Sequence, residues 1–216
     1  MPIYSYKELL KTVPRNKAYV VDTSFLIRAL EEASEASKLK KLLIENGCLL
    51  AHNVTVKSEA MHYMRVLMFD AAFEQQTYAF TDALKKLWNE TLPKLGHENH
   101  AALKQLSLGG YVDIFQIIFG PNGEKLDAEV TKLLAGCIYA DTKSFKVPLE
   151  WSRMQALMAT YGLDSSDAMI LNLAVSDRTF SGIISADEDF IHCADSLDVI
   201  LPGSRNQPRC KPCLVE

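Results

Sequence analysis

Four carboxylates of this 216-residue chain stand where an apolar run meets a polar one: Asp22 in "AYVVDTSFLI", Glu59 in "SEAMHYM", Asp167 in "DSSDAMILNLAV" and Asp187 in "IISADEDF". Each has a plain structural role open to it. Asp22, or the hydroxyl residues Thr23 and Ser24 that follow it, suits a helix cap. Glu59 suits a helix dipole, Asp167 a capping partner, and Asp187 a turn. Brought together, the four would repel one another, because a neighbouring like charge disfavours ionisation. A hard divalent cation removes that penalty. Mg²⁺ or Mn²⁺ takes oxygen ligands, keeps several waters and can bridge to a phosphate, so only a few carboxylates are needed to hold one. Asp164 and Asp189, three positions before Asp167 and two after Asp187, are secondary candidates as supporting or alternative ligands. Ser24, two positions after Asp22, is a further secondary candidate.

The elements needed to gather these acids are legible around each one. Ala18 to Val21 is a short β-type run followed by a helical pattern through Phe25, Leu26 and Leu30, which is the start of a βα unit. "GCLLAHNV", 47–54, reads as a second strand, with a helix from Thr55 that carries Glu59 and runs on towards Leu92 before Pro93 and Gly96. Helical stretches follow at 101–106 and 124–139, separated by turn chemistry. A helix over 149–161 ends at Gly162, and a serine-capped helix over "LDSSDAMILNLAVSD" comes next. A strand over 182–186 then delivers Asp187, and 199–201 reads as an edge strand. Strands and helices alternate at both ends of the chain, which predicts a three-layer α/β/α architecture on a central parallel sheet. In such a sheet the four element ends share one edge. The whole chain, 1–216, reads as a single domain enlarged by a helical insertion at about 82–150.

Composition bounds the alternatives. Nothing at the N-terminus reads as a signal peptide and no apolar stretch is long enough to span a bilayer, which predicts a cytoplasmic protein without a membrane partner. Five cysteines, an odd number in that setting, read as reduced thiols. Cys210 and Cys213 in "RCKPC" form a Cys-x-x-Cys pair with no second pair at ligand spacing, which reads as a tail feature rather than a zinc site. A net charge of −4 argues against a whole-surface nucleic-acid binder, while Lys38 to Lys41, Lys57 and Arg65 remain available to meet phosphates locally.

In this order, "VVDTSFLI", "SEAMHYM", "DSSDAMILNLAV" and "IISADEDF" resemble the four acidic motifs of PIN-domain ribonucleases, including the VapC-type toxins. The resemblance covers roughly residues 18–70 and 160–202 and leaves the middle unmatched. It implies that Asp22, Glu59, Asp167 and Asp187 are both the metal ligands and the catalytic acids. It also matches Ser185 to the small hydroxyl residue just before the last acid. Where the family often has Thr-Arg-Asp, this chain has Ser185-Ala186-Asp187, without the basic residue.

The activity implied is hydrolysis of RNA phosphodiester bonds with one or two Mg²⁺ or Mn²⁺ ions, leaving a 5′-phosphate and a 3′-hydroxyl, with Asp164 or Asp189 orienting the water. An antitoxin or other protein partner, and a homodimer, are left open. The rival reading is a PIN-like protein-interaction module, weakly active or inactive. A haloacid-dehalogenase-type phosphatase needs an aspartate where this chain has Ser24, and a response-regulator receiver needs a strand-end lysine that is missing.

Overall fold

The computed structural model describes residues 3–74, 123–140, 151–194 and 197–201. The chain divides into two compact units, residues 1–59 with 133–216 and residues 60–132. All the candidate site residues belong to the first unit. Most of the expected insertion at 82–150, the continuation of the Glu59 helix towards Leu92, and Cys210 and Cys213 lie outside the described residues.

The first unit is built on one six-stranded sheet whose neighbouring strands are all parallel. Its strands are β1 (Ile3–Ser5), β2 (Ala18–Val21), β3 (Leu49–His52), β4 (Cys137–Tyr139), β5 (Phe180–Ile184) and β6 (Asp198–Leu201), in the order β1-β6-β5-β2-β3-β4. The two middle strands explain why their sequences are apolar without alternation. Val20, Val21, Ile183 and Ile184 are fully buried, as parallel strands covered on both faces must be.

Between the strands run α1 (Tyr6–Lys11), α2 (Thr23–Arg28), α3 (Glu35–Glu45), α4 (Val54–Glu74), α5 (Gly123–Leu133), α6 (Trp151–Tyr161) and α7 (Ser165–Ser176), with a 3-10 turn at Glu188–Cys193. Their starts follow from short polar side chains. Ser5 accepts from the Glu8 amide at 3.2 Å while the Glu8 carboxylate accepts from the Ser5 amide at 2.9 Å, a reciprocal cap on α1. Ser34 caps α3 through the Ser37 amide. Gly162, at a φ of 70°, ends α6 in a left-handed conformation that favours glycine.

The strand order decides where a ligand belongs. From β1 to β2, and from β2 on to β3 and β4, the chain moves in one direction across the sheet; it then returns past β2 to β5. Right-handed crossovers in opposite directions place α1, α2 and α3 on one face and α6 and α7 on the other, giving the three expected layers. The reversal falls between β2 and β5, which are hydrogen-bonded neighbours with Val21 opposite Ile184. A crevice opens outside the carboxyl ends of strands at such a reversal. Asp22 and Ser185 are the first residues beyond those ends.

Two elements differ from the sequence reading. The helix expected over 124–139 stops at Leu133; Gly136 takes a φ of 79°, and Cys137–Tyr139 pair with β3 as a strand. The run expected as an edge strand, 199–201, lies instead inside the sheet, because β1 at the N-terminus pairs with its outer side. β6 also approaches β5 closely. A Cβ added at Gly182 would sit 2.1 Å from the Asp198 carbonyl oxygen, so only glycine fits there. Among the described residues, no helix is long and apolar enough to cross a membrane.

Candidate metal centre

Asp22 follows β2 directly, and its amide donates to the Ile184 carbonyl at 3.0 Å, extending the ladder by one residue. Only 5% of its surface is exposed. It occupies the cap position of α2 but makes no side-chain cap bond there, which removes the plain capping reading. Its Oδ2 instead accepts from the Ser24 hydroxyl and, at 2.6 Å, from the Ser185 hydroxyl. Those two serines are themselves fixed by backbone amides, Ser24 from across the crevice and Ser185 from its own turn. Ala186 donates to Ser24 Oγ and Asp187 donates to Ser185 Oγ, each at 2.8 Å.

Glu59 is held in the same manner. The Thr23 hydroxyl donates to its Oε2 at 2.6 Å, linking α2 to α4. Sequence reading did not single out Thr23 as a support for Glu59. Its position beside Asp22 was visible, but the partner lies 36 positions away and only the fold joins them.

Asp167, Asp187 and Asp189 form a different group. Each offers a carboxylate oxygen, and these oxygens lie within 4.8 Å of one another, close enough to hold a metal ion. Asp167 and Asp187 are half-buried and Asp189 is exposed. Their positions come from local turns. Asp164 caps α7 by accepting from the Asp167 amide at 2.9 Å, which sets Asp167 in the first turn. Asp187 accepts from the Asp189 amide at 2.9 Å, opening the 3-10 turn and bringing the Asp189 side chain back beside it.

The electrostatics tie five of the six acids to one neighbourhood, and the carboxylate distances add Asp189. Burial, then the charges of Asp164, Asp22, Asp187 and Glu59, push the Asp167 carboxyl up from 3.8 to about 7. An acid so placed is on the edge of protonation at neutral pH, and a bound cation would reverse the balance. Cys193 lies just beyond, fully buried; burial and then the Asp167 charge push its thiol up to about 12, so it is an inert neighbour rather than a thiolate ligand.

The structure therefore brings Asp167 and Asp187 together with Asp189, which the sequence ranked as secondary. Asp22 and Glu59 fall outside that close trio and are held by hydroxyls. Asp164 serves as a cap as well as a source of negative charge. Of the lysines considered for phosphate contact, Lys40 donates to the Leu133 carbonyl at 2.9 Å and Lys41 lies 3.9 Å from Glu45. The described cysteines, Cys48, Cys137 and Cys193, are free thiols, as expected.

An all-oxygen donor set of carboxylates suits a hard divalent cation better than a thiophilic one. Comparison of the chain with family models, with curated proteins and with solved structures gives no match.

Proposed function

We propose that the chain is a metal-dependent endoribonuclease of the PIN type, hydrolysing RNA phosphodiester bonds with Mg²⁺ or Mn²⁺. The observation that carries this reading is the trio Asp167, Asp187 and Asp189 at the sheet's reversal point, with the Asp167 carboxyl raised by burial and by the acids around it. Negative charge that costs energy in the metal-free protein becomes an asset once a cation and a phosphate arrive.

In this reading Asp167, Asp187 and Asp189 hold the ion, and Asp22 and Glu59 add charge around it from their hydroxyl-bonded positions. When bound, the ion supplies a more acidic water and neutralises charge developing on the phosphate. The half-buried setting of Asp167 and Asp187 keeps bulk water from screening that field. The toxin half of a toxin–antitoxin pair, with a small antitoxin as partner, is the narrower form of the same proposal.

Incubation with a single-stranded RNA and Mn²⁺ tests it. The expected result is endonucleolytic cleavage that leaves 5′-phosphate and 3′-hydroxyl ends, stops with a chelator and is strongly reduced in Asp187→Asn. A protein that binds Mn²⁺ but leaves RNA and DNA intact would sink the nuclease reading and leave the interaction module.

A further inference from the structure

The peptide unit that joins Ser185 to Ala186 is gripped at both ends. Its carbonyl oxygen, on Ser185, accepts from the Tyr6 hydroxyl at 2.6 Å, and its N–H, on Ala186, donates to Ser24 Oγ at 2.8 Å. Because a peptide unit is planar and rigid, two such bonds fix its orientation about the chain axis. The next residue is Asp187. On the near side, the Ser185 amide is fixed by the Ile200 carbonyl at 3.0 Å.

Tyr6 is suited to this role and to little else. It is 1% exposed, on α1, so its hydroxyl has no access to water or substrate. Its ring meets Phe25 edge to face, with centroids 5.6 Å apart and planes at 76°. Phe25 follows Ser24 on α2. One side chain thus braces both serine-bearing segments, its ring against the one after β2 and its hydroxyl on the one after β5.

We propose that Tyr6 is a positioning residue for the metal centre, acting through the Ser185–Ala186 peptide on Asp187 and, through Ser24, on Asp22. This rests on the reading of the acidic trio as a metal site. Without the Tyr6 hydroxyl the carbonyl loses its buried donor, the peptide plane is free to tilt, and the Ala186–Ser24–Asp22 chain of hydrogen bonds loosens together with the Asp187 backbone. Groups that orient metal ligands without touching the metal are typically worth on the order of 10-fold or more in metal affinity.

The test is Mn²⁺ binding to the full chain, followed by the electron paramagnetic resonance of free Mn²⁺, at a temperature where circular dichroism shows each variant folded. Tyr6→Phe keeps the ring and removes only the hydroxyl; its dissociation constant should rise by about 10-fold. Tyr19→Phe removes another buried tyrosine hydroxyl, near Cys48 and Asp198 at the opposite edge of the sheet, and should leave the constant unchanged. Equal affinity in Tyr6→Phe and the unaltered protein overturns the role of Tyr6 while the metal site stands. Absence of Mn²⁺ binding in the unaltered protein overturns the metal site itself. Should Tyr6→Phe not fold, 3-fluorotyrosine at residue 6 is a stronger donor of nearly the same shape. Tighter Mn²⁺ binding then supports the proposal, and unchanged binding overturns it.

Discussion

The carboxylate after β2 and the trio built from the start of α7 and the turn after β5 meet where two neighbouring strands end, yet they are stabilised in opposite ways. Asp22 is deeply buried and accepts two serine hydroxyls, which themselves accept backbone amides. Asp167, Asp187 and Asp189 are more open and face one another, and Asp167 is held near protonation by burial and then by the surrounding charge. Hydrogen-bond donors satisfy the first carboxylate within the protein. In the second group Asp187 accepts the Asp189 amide, but that local bond leaves the mutual repulsion for a cation to relieve. Burial alone therefore does not mark a ligand site; charges clustered beyond what local donors offset do.

The sharpest way to break this contrast is at Asp187. Asp187→Asn should lower metal-dependent RNA cleavage by about 10²–10³-fold, the loss typical of removing a group that stabilises developing charge. Single-turnover rates at saturating Mn²⁺ give the number, and a rate near that of the unaltered protein would exclude Asp187 from the site.

Asp22 should respond mainly in stability. Asp22→Ala strands the Ser24 and Ser185 hydroxyls without their carboxylate acceptor, at a cost on the order of 3 kcal/mol. Asp22→Asn keeps an acceptor and should cost much less. Urea denaturation without metal separates the two, and equal stability would mean the hydroxyl bonds are not what holds Asp22.

Asp167 should respond with the opposite sign. Its folded-state pKa lies above its ordinary value, so the metal-free folded protein keeps a proton that the unfolded chain gives up. The resulting stability is fully present below pH 3.8 and is lost as the pH rises through about 7. Asp167→Asn should therefore raise the metal-free Tm at pH 8 and leave it little changed at pH 4. In the unaltered protein, Mn²⁺ affinity should fall as the pH drops below about 7, where proton and cation compete. A metal-free Tm at pH 8 that falls in Asp167→Asn would refute the repulsion.

The smallest effect is at Asp164, where cap and charge can be separated. Asp164→Ala should cost about 1 kcal/mol through the lost cap on α7. Asp164→Ser keeps a capping oxygen and removes the charge, so stability should hold while the Asp167 pKa, followed by NMR, moves down. An unmoved pKa would show that Asp164 is not among the charges that raise it.

Much of this was legible in the sequence because it is local. A run such as "AYVVD" is apolar without alternation only if both faces are covered, and a helix cap belongs to the next few amides, although the serine cap expected for α7 proved to be Asp164, whose side chain accepts from the Asp167 amide. Those signals sufficed for β2, β5, α6, α7, the parallel sheet and the edge that gathers the acids. Where periodicity alone was followed, it ran too far: nothing in "LLAGCIY" announces that Gly136 turns the chain into a strand whose partner is β3. The three residues of β1 were too short to register, and without them β6 was read as an edge.

Tertiary structure decided which acids repel and which are satisfied, since that depends on partners brought from afar. Ser185 reaches Asp22 across 163 positions and Tyr6 reaches Ser185 across 179. Residue type told which side chains were able to ionise. The geometry of donors around each one, set only when β2 and β5 lie side by side, determined what that ionisation costs and where a cation would lower it.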